Sequence, residues 1–183
     1  MKSIIKSLIL FCVFSVSFIS CETYSDPKVD YSPIYPLSGE WRVRITNVNT
    51  GVLVSSSMYT LGTYNTSDNL TNQMWIRTTS NVPTFSTAAV KTLKAKISCD
   101  VASLSFSTTG VIQNLNVTTN AVLDSVAITE GKITLNSVVM QSNVTADRIS
   151  FKITKTKAPG ITFLVEGYRR TRWNEDESFI TFK

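Results

Sequence analysis

The chain has 183 residues, 18 Lys and Arg against 13 Asp and Glu, a formal charge of +5 and no histidine. Without histidine a Ser-His-Asp triad, a Cys-His pair and a histidine-rich zinc site are excluded. The positive excess is small and dispersed, so it reads as a solvated surface and argues against a nucleic-acid partner.

The first element is a leader. Lys2 and Lys6 flank the start of an apolar run that ends at Ser20, and Cys21 follows. Its uninterrupted core is shorter than the roughly 20 residues a membrane span requires, so residues 1–20 read as a cleaved signal peptide. Phe18-Ile19-Ser20-Cys21 resembles a bacterial lipobox, in which a small residue precedes a lipidated cysteine. The resemblance implies a lipid thioether on Cys21, an acylated new amino terminus and a membrane partner. Several acyl chains, at about 0.8 kcal/mol per buried CH₂, give stable anchoring. The competing reading is ordinary cleavage near Ser20 with Cys21 incidental. With Cys12 lost and Cys21 lipidated, Cys99 stands alone, and no internal disulfide is available. Loss of Lys2 and Lys6 lowers the +5 to +3.

Residues 21–36 are expected to be the lipidated cysteine and an extended linker. They hold Pro27, Pro33 and Pro36 and show no apolar period. At about 3.1 Å per residue the linker reaches roughly 45 Å, or less where Tyr31, Ile34 and Tyr35 dock on the domain.

Residues 37–183 form the third segment, one domain with a period of two. Trp41, Val43 and Ile45 alternate with Arg42, Arg44 and Thr46. Leu93, Ala95 and Ile97 alternate with lysines and serine; Ile149, Phe151 and Ile153 and then Phe163 and Val165 repeat the pattern. Such alternation means strands with one buried face. The strands are expected near 39–48, 52–63, 73–79, 90–98, 103–109, 111–118, 122–129, 131–140, 147–156 and 161–171, with a short helical turn in the tail after Trp173. Turn signals stand at Asn49-Thr50-Gly51, Asn65–Asn69, Cys99-Asp100, Glu130-Gly131-Lys132 and Pro159-Gly160. The fold class is all-β: an antiparallel up-and-down barrel of about eight to ten strands, with a two-sheet sandwich as the alternative.

Gly39-Glu40-Trp41 opens the first strand, and Arg169-Arg170 lie near the end of the last. This resembles the calycin superfamily, which includes lipocalins, where the tryptophan plugs one end under an arginine of the last strand. The contact is a cation–π interaction of about 0.5–2 kcal/mol. Parity with Phe163, Val165 and Gly167 selects Arg169 over Arg170. Ser38-Gly39-Glu40-Trp41, Thr63-Tyr64-Asn65-Thr66, Met74-Trp75-Ile76 and Gly167-Tyr168-Arg169-Arg170-Thr171 appear in order, and Glu175-Asp176-Glu177 follows. Together they resemble the Bacteroidetes lipoprotein family called "lipid-binding putative hydrolase". The resemblance implies a calycin-like barrel on a lipidated tether in the cell envelope, at the outer membrane. Arg77-Thr78-Thr79 departs from the acidic residues expected there, and Tyr168 stands where the family often has histidine.

No catalytic, metal or cofactor site is expected. Glu166, Asp147 and Asp124 show no recognisable pairing, and Glu175-Asp176-Glu177 lacks calcium-loop spacing and reads as a solvated tail balancing Arg169, Arg170 and Arg172. Asp124-Ser125-Val126 resembles a bacterial O-glycosylation site, with a strand residue beside a turn as the blander reading.

Two functions compete, with an enzymatic reading as a third that no recognisable catalytic constellation supports. In the first, Ile45, Met74, Ile76, Phe106, Phe151 and Phe163 line a cavity for a lipid-like ligand; the same residues also suit a filled core. In the second, an interaction module, Trp75 faces outward, opposite in parity to Met74 and Ile76, and contacts an outer-membrane protein or a glycan.

Overall fold

A computed structural model describes residues 28–79, 81–82, 91–156 and 158–178. The leader, Cys21 and the first part of the linker lie outside the described residues. The compact unit begins at Tyr31.

Among the described residues the chain forms nine strands: β1 (Gly39–Asn47), β2 (Tyr59–Asn65), β3 (Gln73–Thr78), β4 (Lys94–Asp100), β5 (Ser105–Ser107), β6 (Ile112–Leu115), β7 (Val122–Val139), β8 (Thr145–Lys155) and β9 (Ala158–Arg169). Every pairing is antiparallel, in the order β5-β4-β3-β2-β1-β9-β8-β7-β6, and β5 also pairs with β7. That extra pairing closes eight strands into a ring and leaves β6 as a side strand on β7. The fold is a closed, calycin-like antiparallel barrel. Closure removes the open sheet edges that eight separate strands would otherwise present.

The alternation explains which face is inside. Trp41, Val43 and Ile45 of β1, Met74 and Ile76 of β3, Ala95 and Ile97 of β4, Ile149, Phe151 and Ile153 of β8, and Phe163 and Val165 of β9 belong to one buried apolar cluster. The outward positions carry charge: Glu166 of β9 meets Arg44 at 3.6 Å and Arg148 at 2.5 Å across neighbouring strands. Asparagine supplies the left-handed turn residues, as at Asn69, Asn120 and Asn143.

Four boundaries differ from expectation. The second strand begins at Tyr59 rather than 52, because only Leu53 of the preceding segment bridges, to Thr46. Cys99-Asp100 ends β4 rather than making the turn; the Asp100 carboxylate instead caps the turn that follows, accepting from Ala102 N at 3.0 Å and Ser103 Oγ at 2.6 Å. Pro159-Gly160 falls inside β9. Glu130-Gly131-Lys132 does not separate two strands, and β7 runs through it. The register slips between Thr129 and Lys132, Glu130 sits at φ 55°, and Gly131 lies flat against Phe106, where a Cβ would collide with the carbonyl and ring. The turn signal is therefore a bulge, and it lies at the seam where Phe106 pairs with Gly131.

Before β1 a 3₁₀ turn, Tyr35–Leu37, folds onto the barrel and buries Ile34 and Leu37 fully. Tyr31 and Tyr35 stack on each other with ring centroids 3.9 Å apart. After β9 a second 3₁₀ turn, Asn174–Asp176, occupies the tail.

Candidate functional site

One end of the barrel is stoppered. Trp41 is fully buried, and its indole Nε1 donates to Thr63 Oγ1 at 2.9 Å, whose hydroxyl in turn donates to Leu37 O at 2.6 Å. Trp41 and Arg169 are paired across β1 and β9, and the guanidinium lies 4.5 Å from the indole centroid. Arg169 Nε binds Asp147 Oδ2 at 2.7 Å, Nη2 donates to Pro36 O at 3.1 Å, and Nη1 donates to Ser38 O. Gly39 makes room for this arrangement, since a Cβ there would fall on Arg169 Nη1. Arg170 points the other way and binds Glu177 at 2.6 Å and Glu40 at 3.1 Å. An open cleft of about 280 Å³ lies beside the plug, lined by residues that include Asp147, Arg169 and Thr171.

The tail is less solvated than its composition suggests. Asp176 is 1% exposed; its carboxylate accepts from Ser142 N at 3.0 Å, Ser142 Oγ at 2.7 Å and Thr171 Oγ1 at 2.5 Å. Burial alone would raise its pKa, but these hydrogen bonds outweigh it and hold the carboxyl below its usual range. Arg172 is balanced by Glu40 at 2.6 Å, and Arg169 by Asp147, so neither relies on the acidic tail. Tyr168 lies on the outer face of β9 yet is fully buried beneath the tail, with its hydroxyl donating to Asp176 O.

Inside, the six candidate lining residues come together. Ile45, Met74, Ile76 and Phe151 are fully buried, Phe106 and Phe163 nearly so, and all belong to the one apolar cluster. Phe106 and Phe151 meet edge to face at 5.6 Å. The wall around them is closed at mid-height by β5 on β7.

Toward the end away from Trp41, closure is made by a side chain. Asn114 of β6 is fully buried; its Oδ1 accepts from Lys94 N at 2.9 Å and its Nδ2 donates to Thr92 O at 3.0 Å. The side strand is thereby fastened to the start of β4. The same Nδ2 donates to Asp124 Oδ1 at 2.8 Å. Lys155, the next inward position after Ile153, is 6% exposed and places its ammonium 5.6 Å from the Phe163 ring centroid. Sequence reading missed this polar group. The signal was present in the parity of β8, which continues inward from Ile153 to Lys155.

Trp75 lies on the outer face of β3, half-buried, with Lys94 and Lys96 ammonium groups 5.2 and 5.5 Å from its ring. Of the acidic residues considered for chemistry, Asp147 and Glu166 are held by arginines and Asp124 by Asn114. Among the described residues no cluster of three metal-ligating side chains occurs. Cys99 is buried, and burial pushes its thiol pKa up. Ser125 faces outward on β7, but Asp124 beside it is turned inside and buried.

A closed antiparallel barrel with a buried tryptophan under a last-strand arginine defines a calycin-like protein. The sequence matches the model of the family described as "lipid-binding putative hydrolase" over residues 26–174, and the chain belongs to that family. Among solved structures it is similar to a redesigned β-barrel, at 15% identity and a TM-score of 0.43, covering 76% of this chain and 96% of the other. No curated protein matches the sequence.

Proposed function

We propose that the chain is a cell-envelope lipoprotein, held at the outer membrane by lipid on Cys21, that carries a hydrophobic, lipid-like molecule in its barrel. The observation that carries this reading is the inward apolar cluster of Ile45, Met74, Ile76, Phe106, Phe151 and Phe163 inside a ring stoppered at one end. Membership of a family described as lipid-binding supports it. An apolar interior bounded by a continuous hydrogen-bonded wall suits a ligand whose chain needs shelter from water. The test uses the domain purified from its native host without the anchor. Native mass spectrometry is expected to show a co-purifying lipid, and a fatty-acid probe is expected to displace bound Nile red. Absence of both overturns the carrier reading. Membrane fractionation of Cys21→Ser checks the anchor: the variant is expected in the soluble fraction, and retention in the membrane overturns that part.

A second reading is favoured by Trp75. Its outward position between Lys94 and Lys96 forms an aromatic and basic surface suited to an outer-membrane protein or an acidic glycan. Crosslinking in intact envelopes is expected to capture such a partner through this face if the reading holds.

A further inference from the structure

Toward the end away from Trp41, three buried polar side chains cluster: Asn114 on β6, Asp124 on β7 and Lys155 on β8. Asn114 is fully engaged in fastening β6 to β4. The other two are not. Asp124 and Lys155 are each 6% exposed. Asp124 Oδ2 is buried and has no hydrogen-bond partner among the described residues. The Lys155 ammonium rests over the Phe163 ring, and among the described residues no carboxylate forms an ion pair with it. Val126 is the cross-strand partner of Lys155, so Asp124, two residues earlier on the same face, is its diagonal neighbour. Burial pushes the Lys155 pKa down, and the charge of Asp124 acts against that shift.

The Asp124 Oδ2 acceptor and the Lys155 ammonium therefore face one apolar interior, and the fold leaves Oδ2 without a donor. Leaving such a group unmet costs about 1–3 kcal/mol, more when it is charged. We infer that Asp124 and Lys155 form a head-group site that selects an amphiphile with a neutral hydroxyl head. The inference rests on the lipid-carrier reading. A hydroxyl donates its proton to Asp124 Oδ2 and accepts from Lys155 Nζ, and it leaves the neutral charge balance of the pair unchanged. A carboxylate or phosphate head meets Lys155 but is pressed against Asp124. An ammonium head meets Asp124 but is pressed against Lys155. Phe163, under the lysine, joins this site to the apolar cluster where the chain of the amphiphile lies.

The test displaces Nile red from the purified domain with myristyl alcohol, myristic acid and myristylamine, which share one chain and differ in the head. In the wild type the alcohol is expected to compete at about tenfold lower concentration than either charged lipid, as one satisfied donor–acceptor pair allows. Asp124→Asn removes the negative charge, and the acid is expected to gain on the alcohol until the preference disappears. Lys155→Met is expected to favour the amine in the same way. Each ratio is measured within one preparation, so a variant that folds poorly still reports its preference. Binding of all three lipids with the same order in the wild type and both variants overturns the head-group site and leaves the carrier reading standing; the pair is then bridged by water. Failure of the wild type to bind the dye or any of the lipids overturns the carrier reading itself.

Discussion

Replacing Arg169 with methionine removes the guanidinium but keeps an unbranched apolar stem over Trp41. The wild-type group makes an ion pair with Asp147, donates to the carbonyls of Pro36 and Ser38 and lies over the indole. Hydrogen bonds to charged groups contribute about 1.5–3 kcal/mol each and a cation–π contact about 0.5–2. The side chain is 29% exposed, so solvent screening reduces these values and they do not add fully. A loss of about 3 kcal/mol is expected for the whole group, chiefly because Asp147 and two carbonyls lose their donor. For a domain of this size that lowers the melting temperature by roughly 6–12 °C. Arg170→Met is the internal control. Its ion pairs with Glu40 and Glu177 lie on the outer face, and its loss is expected to cost about 0.5–1 kcal/mol. Thermal melts by circular dichroism compare the two. With Trp75 and Trp173 replaced by phenylalanine, emission from Trp41 reports on the plug alone. Equal destabilisation by the two substitutions, or unchanged Trp41 emission in Arg169→Met, refutes the reasoning.

Two further outcomes are expected. Asn114→Ala unfastens β6 from Thr92 and Lys94 and strips Asp124 of its donor; a loss of about 2–4 kcal/mol is expected in urea unfolding, with faster amide exchange at the start of β4. Asp176 has a lowered folded pKa, so its stabilisation is complete above the ordinary carboxylate range and disappears as the pH falls through the folded value. Melts over a series of acid pH values are therefore expected to show a shallower decline for Asp176→Asn than for the wild type.

Much of the barrel was legible because its strands are half-buried, and half-burial writes itself as alternation. Trp41, Val43 and Ile45, or Ile149, Phe151 and Ile153, admit one orientation only. The same parity distinguishes Arg169 from Arg170 and puts Trp75 outside. Glu130-Gly131 misled because a glycine at a strand crossing and a glycine in a turn look alike; only the nearness of Phe106, distant in sequence, tells them apart. Pro159-Gly160 misled likewise, since both residues lie inside β9. The Asp124 and Lys155 pair escaped notice for another reason. Charged residues on strands usually face water; parity carries Lys155 inward from Ile153, but the burial of Asp124 against Asn114 of β6 is a long-range fact that no local pattern contains. The tail was likewise legible in composition but not in place: Asp176 reads as solvent-facing until Ser142 and Thr171 are brought to it by the fold.

The pairing of β1 with β9 has a kinetic consequence. The first strand of the chain finds one of its two neighbours only in the last, so Trp41 stays uncapped until Arg169 has joined the sheet. A folding chain whose β9 has not yet docked has unpaired edges on both β1 and β8, each a template for association with another chain. Such non-local closure is intrinsically slow. The time the chain spends with these edges bare is set by docking of its final strand, and it is then that a chaperone has the most to protect.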